Sequence, residues 1–145
     1  MRRSYFRILA TQVELKRVVG RVEAFCLANR LPEAASNLMN LALDEVLSNI
    51  QKYGYEAAEG GPIEVELTYS NNKLTAAVSD RGGAFNPLEL ELPAVTGPLQ
   101  SRKEGGLGIL FLKTLLDSVV YERIGGQNKI TLVVELPSDN GREGA

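Results

Sequence analysis

Apolar residues recur at spacings of three and four over Val13–Ala28, at Leu15, Val18, Val19, Val22, Phe25 and Cys26. That spacing predicts an amphipathic helix. Thr11 suits its N-cap, and Asn29–Arg30 ends it. Pro32 opens a second helix, where a missing N–H does no harm, and the pattern runs on to about Tyr53, with Gly54 as terminator. On the wheel of this helix Met39, Leu43, Val46 and Ile50 cluster on one side. Asn37, Asp44, Ser48 and Gln51 fall on the other. With Glu45 set at zero, Asn49 lies at about 40° and Lys52 at about −20°. Glu45, Asn49 and Lys52 therefore share the margin between core and solvent, where side chains can meet a ligand in a partly dry cleft.

Elsewhere the period is two. Tyr5–Ala10 reads as a short strand. In Ile63–Tyr69 the residues Ile63, Val65, Leu67 and Tyr69 share one face, and Glu64, Glu66 and Thr68 the other. Asn71–Asn72 makes a turn, since asparagine tolerates positive φ. Leu74–Ser79 returns as the partner strand with Leu74, Ala76 and Val78 inward, and Asp80 stands at its end. From Asn86 to Gly105 no period holds, and Pro87, Pro93, Gly97 and Pro98 punctuate a stretch whose length suits a lid. Gly108–Asp117 reads as a third helix with Ile109, Leu112, Leu115 and Leu116 at core spacing. Val119–Ile124 and Lys129–Leu136 read as strands joined by Gly125, Gly126, Gln127 and Asn128. The expected fold is α+β: a two-layer α/β sandwich in which a mixed sheet has helices on one face. Residues 1–137 make one domain, and 138–145 a polar tail.

Composition narrows the function. A chain of 145 residues with 44% apolar and 23% charged residues suits one soluble globular domain. A net charge of −2 gives no general attraction to nucleic acid or to an acidic membrane. Cys26 is the only cysteine, so no internal disulfide forms, and its place in an amphipathic helix predicts a buried, inert thiol. The chain has no histidine, which excludes a Ser-His-Asp triad, a Cys-His dyad and a histidine-ligated zinc. It has neither a signal-peptide pattern nor an apolar run long enough to span a bilayer, so a cytoplasmic location is the default expectation.

Three stretches carry candidate chemistry. Glu45 precedes Asn49 by four residues in Leu43–Tyr55, LDEVLSNIQKYGY; by itself the pair also suits a solvated helix edge. Asp80–Pro87, DRGGAFNP, follows a strand. Its carboxylate could accept from an exocyclic amine, with Gly82–Gly83 letting backbone approach a flat ligand, or it could be an ordinary Asp-containing turn. Glu104–Leu112, EGGLGILFL, places Gly105, Gly106, Leu107 and Gly108 before a helix. Backbone N–H groups there could cradle phosphate oxygens, or the glycines could form a plain entry turn. No Lys-Ser/Thr pair follows them, so this is not a Walker A loop.

Taken together, E-x-x-x-N on a helix, D-x-G-x-x-F-N-P after a strand and G-G-L-G before a helix resemble the N, G1 and G2 boxes of the GHKL ATPase superfamily (the Bergerat fold). Within it the likeness is greatest to the small bacterial anti-sigma factor serine kinases of the RsbW and SpoIIAB type, over about residues 5–136. The resemblance implies ATP and Mg²⁺ as cofactors. It makes Asn49 the Mg²⁺-holding asparagine and Glu45 the general base. It makes Asp80 the reader of the adenine amine, with Gly82 shaping the pocket and Gly83, Ala84 and Phe85 completing the box. Ala84 departs from the pattern, since many members have glycine there. Gly106 and Gly108, with Gly105 and Leu107, match the lid hinge that meets the phosphates. Thr131 resembles the threonine that supports the aspartate through water. Arg102 and Lys103, at the end of the lid, either reach a γ-phosphate or form a solvated charge pair.

The resemblance also implies partners: a sigma factor, a STAS-type antagonist and a second copy of the chain, with no direct nucleic acid and no membrane. Three functions compete. The first is a serine protein kinase that phosphorylates an anti-sigma antagonist and sequesters a sigma factor. The second is a module or ATPase in which ATP sets affinity for a partner without protein phosphorylation. The third is a histidine-kinase catalytic domain, which without a histidine of its own acts only in trans. Glu45 favours the first, because a pure binder needs no base.

Overall fold

The structure, a computed structural model, describes residues 2–54, 61–83 and 112–137. The expected lid, the glycine-rich stretch Gly105–Gly108, the positions Ala84, Phe85, Arg102 and Lys103, and the tail 138–145 lie outside the described residues. Strand β1 (Arg2–Leu9) leads to helices α1 (Gln12–Ala28) and α2 (Glu33–Asn49). A π-helical turn, Ile50–Gly54, extends α2. Strands β2 (Pro62–Ser70), β3 (Lys73–Asp80), β4 (Ser118–Ile124) and β5 (Gln127–Glu135) complete the sheet, in the order β1-β2-β3-β5-β4. Residues 112–115 are helical.

Local chemistry explains the boundaries. Thr11 caps α1 as expected, its side chain accepting from the Glu14 amide at 3.3 Å. Pro32 stands at the N-cap of α2, one residue before the expected position. Asn71 and Asn72 take φ of 55° and 61°, the paired left-handed conformations of a tight hairpin turn. Gly125 and Gly126, at φ 55° and 79°, make the equivalent turn between β4 and β5. That turn is shorter than expected: Gln127 and Asn128 already belong to β5.

The sheet is expected to be mixed, yet all four pairings among the described residues are antiparallel. The reason is visible between β1 and β2. One crossover helix returns a chain to the end where it began and gives a parallel neighbour. Two successive helices of 17 residues each send it back once more, so β2 runs against β1.

Alternation in the strands turns Phe6, Ile8, Ile63, Val65, Leu67, Leu74, Ala76, Val78, Ile130, Leu132 and Val134 onto one face. They pack there against Val18, Val22, Phe25 and Cys26 of α1 and Met39, Leu43, Val46 and Leu47 of α2. The opposite face carries Glu64, Glu66, Thr75, Ala77, Ser79 and Thr131, none of them buried. This is the two-layer sandwich expected. Leu112 and Leu116 join the core, but Leu115 is 40% exposed. The spacing makes it a core position, yet it lies off the i, i+4 line that joins Leu112 to Leu116. Among the described residues no helix is long and apolar enough to cross a membrane.

Candidate functional site

Among the described residues four polar side chains are buried: Ser36, Asn49, Asp80 and Asn128. A polar group kept from water without a partner is costly, so each needs a reason. The Ser36 hydroxyl donates to the Glu33 carbonyl within its own helix, and no function follows. The other three occupy the places where the sequence pointed to a ligand, or lie beside them.

Asn49 ends α2 and is only 1% exposed. Its Nδ2 donates to the Glu45 carbonyl at 2.6 Å and to Glu45 Oε2 at 3.0 Å. Both partners are acceptors, so the amide nitrogen must face them and the oxygen must point away. That oxygen, Oδ1, is buried and has no hydrogen-bond partner among the described residues. An orphaned neutral oxygen of this kind fits a hard divalent cation, which takes few protein ligands and completes its shell with phosphate and water oxygens. No cluster of three or more His, Cys, Asp or Glu side chains that could hold a metal occurs among the described residues.

Glu45, half-buried one turn earlier, has its carboxylate held by this same amide. The sequence thus correctly joined Glu45 to Asn49. It placed Asn49 at the margin, whereas the structure buries it. Lys52 is exposed in the π-helical turn, where the regular step of 100° per residue no longer holds. The wheel position that grouped it with Glu45 and Asn49 lapses after Asn49.

Asp80 is the last residue of β3 and faces the core side, 5% exposed. Its Oδ1 accepts from the Gly82 amide at 2.8 Å, which closes the turn Asp80–Gly83. Gly82 is buried and Gly83 exposed. Across the register from Asp80 stands Asn128 of β5. Its Nδ2 donates to Asp80 Oδ1 at 3.1 Å and to the Gly83 carbonyl at 2.8 Å. Its Oδ1 accepts from the Tyr121 hydroxyl and from Arg123 Nη1 at 3.0 Å. Arg123 Nη1 also donates to the Gly82 carbonyl at 2.9 Å.

Thr131 does not support Asp80. It pairs with Ala77 and Val120, and it faces the side of the sheet opposite to Asp80 and Asn128. A strand alternates faces, so an odd offset of three residues from Asn128 puts Thr131 on the wrong side. Asn128, Tyr121 and Arg123 were missed by the sequence reading, which placed Asn128 in a turn. The available signal was the Gly125–Gly126 pair, which alone suffices for a two-residue hairpin.

A family model described as a histidine kinase-like ATPase domain matches residues 8–134. The chain belongs to the histidine kinase-like ATPase family, as its three boxes suggested. Its resemblance to RsbW-type serine kinases also holds. The serine-protein kinase RsbW of Listeria innocua is 32% identical over 110 residues, covering 70% of this chain and 68% of the relative. The serine/threonine-protein kinase BtrW of Bordetella bronchiseptica is 23% identical over 111 residues, covering 77% and 78%. A Mycobacterium tuberculosis structure of RsbU and RsbW domains superposes with a TM-score of 0.68 at 16% identity. The match covers 94% of this chain but only 33% of that one, and it speaks for the fold.

Proposed function

We propose that this chain is an ATP-dependent serine protein kinase that phosphorylates a STAS-type antagonist and, as an anti-sigma factor, sequesters a sigma factor. The observation that carries the reading is the Glu45–Asn49 pair. A carboxylate is held beside a buried amide whose oxygen has no protein partner among the described residues. A nucleotide-binding module has no need for the carboxylate, whereas a phosphotransferase needs a base one turn from its cation ligand.

In this reading Asn49 Oδ1 would hold Mg²⁺, which when bound supplies charge neutralisation at the phosphates. Glu45 accepts the proton of the attacking serine hydroxyl as the γ-phosphoryl passes to that oxygen and ADP leaves. Asp80 accepts a hydrogen bond from the adenine amine, with Gly82 and Gly83 close to the ring plane. Gly105, Gly106, Leu107 and Gly108 keep the phosphate role, and Ala84 and Phe85 the part in the adenine box, that the resemblance gives them. Arg102 and Lys103 remain candidates for the γ-phosphate. Thr131 has no part in the site. The relatives' kinase names support the activity at modest identity. A homodimer and a cytoplasmic location belong to the same proposal.

The test is incubation of the protein with γ-labelled Mg-ATP and small STAS-domain proteins from its genomic neighbourhood. The expected result is label on one serine of one such protein. Tight ATP binding with no label on any of them would favour a binding module instead.

A further inference from the structure

Asp80 Oδ1 takes two donors, the Gly82 amide and Asn128 Nδ2, and is thereby filled. Oδ2 has no hydrogen bond among the described residues. The Asn128 amide cannot turn round. Its Oδ1 faces a guanidinium, which only donates, and the Tyr121 hydroxyl. Its Nδ2 faces a carboxylate and a carbonyl, which only accept. A flip would set amide nitrogen against guanidinium and amide oxygen against carboxylate. The carbonyls of Gly82 and Gly83 are held by Arg123 and Asn128. The turn after β3 is therefore pinned by side chains of β4 and β5 rather than by its own sequence alone.

We propose that Asn128 is a positioning residue, oriented by Tyr121 and Arg123, that fills Asp80 Oδ1 and so presents Oδ2 alone to the exocyclic amine of the base. The inference rests on the reading of Asp80 as the residue that meets that amine. It adds a specificity device. A carboxylate fixed in one rotamer with one oxygen to offer accepts from a 6-amino purine. It meets a 6-oxo purine with acceptor against acceptor, and a site built around one hydrogen bond rejects the analogue that lacks it. A carboxylate free to rotate discriminates less, because ordering it must be completed on binding.

The test compares ADP with IDP, its 6-oxo analogue, by calorimetry on the parent, Asn128→Asp and Arg123→Met. Asn128→Asp keeps the shape but turns an acceptor towards Asp80 Oδ1 and the Gly83 carbonyl. Arg123→Met, at an exposed residue of β4, removes both bonds of the guanidinium and carries the test if Asn128→Asp does not fold. The parent is expected to prefer ADP. Asn128→Asp should lose about tenfold or more in ADP affinity, the scale of a hydrogen bond to a charged group, with little change for IDP. Arg123→Met should lose several-fold in the same sense. Equal falls for ADP and IDP would mean a merely structural role and overturn the proposal, as would folded variants with unchanged preference. Asp80→Asn separates the two levels. If it abolishes the preference while both other variants keep it, the positioning role falls alone. If it too leaves the preference intact, the base-reading role of Asp80 falls and this proposal with it.

Discussion

Asn49 illustrates the trade made at single residues. Its buried Oδ1 forgoes a hydrogen bond, which costs about 1–3 kcal/mol for a group of this kind. Asn40 Oδ1 is buried and unpartnered too among the described residues, so a measurement must separate a cation ligand from a packing cost at Asn49. Asn49→Ala is expected to weaken ATP binding chiefly when Mg²⁺ is present, measured by calorimetry with and without EDTA. Equal loss in both conditions would argue against a metal role. Asp80 makes a matching prediction at the base. Asp80→Asn keeps the size, removes the charge and can turn a donor towards a donor, so ATP affinity should fall markedly while the fold persists. Equal binding of GTP and ATP by the parent would contradict the assignment. Cys26 is 3% exposed, and its burial pushes the thiol pKa up, so the reactive thiolate is scarce in the folded state. Alkylation of the native protein near neutral pH should accordingly be slow and should accelerate on unfolding.

The elements show what the sequence could and could not tell. Helix α1, strands β2 and β3 and their Asn71–Asn72 turn were legible, because long periodic runs and turn chemistry agree there. The second half of the site was half legible. Asp80 and Gly82 stand out in the sequence as candidates because a carboxylate and glycines follow a strand. Asn128 was not, because Gly125–Asn128 also reads as a four-residue connection. Extending β5 by two residues reverses that reading and sets Asn128 opposite Asp80. Thr131 matches by motif likeness alone, and the alternation of faces along β5 excludes it. Thr131→Val should therefore leave nucleotide affinity within about twofold, since it sits on the far side of the sheet from Asp80. A tenfold loss would restore its supporting role. The expectation of a mixed sheet fails for another reason. Strand direction depends on how many helices intervene, and hydrophobic pattern alone does not weigh that. At the start of α1 the Thr11 side chain meets the Glu14 amide, and Glu14 Oε1 accepts from the Leu9 amide at 3.3 Å. Thr11→Ala should cost about 1 kcal/mol of stability in denaturant melts, without effect on nucleotide binding.

The whole molecule is an asymmetric sandwich. One face of the sheet and both long helices share a single apolar core. The buried polar groups of the site sit where elements end: Asn49 ends α2, Asp80 ends β3, and Asn128 is the second residue of β5. Element ends are where backbone and side-chain polar groups can meet a ligand without breaking a ladder. Packing thus fixes the scaffold and leaves its termini to chemistry, so the fold tolerates wide sequence divergence, as the TM-score of 0.68 at 16% identity illustrates. The family membership of the chain rests on the family model that spans residues 8–134, and the proposed transfer chemistry rests on Glu45 beside Asn49. The most direct measurement compares the parent with Glu45→Gln for Mg-ATP binding and for transfer of the γ-phosphoryl to the antagonist serine under the same conditions. Glutamine keeps the shape and can still meet the Asn49 amide, but it cannot take the serine proton. The account predicts binding within a few-fold of the parent and transfer reduced by about two orders of magnitude or more, the usual range for removal of a general base. Transfer at the parent's rate would contradict it, and loss of nucleotide binding would make Glu45 a structural residue instead.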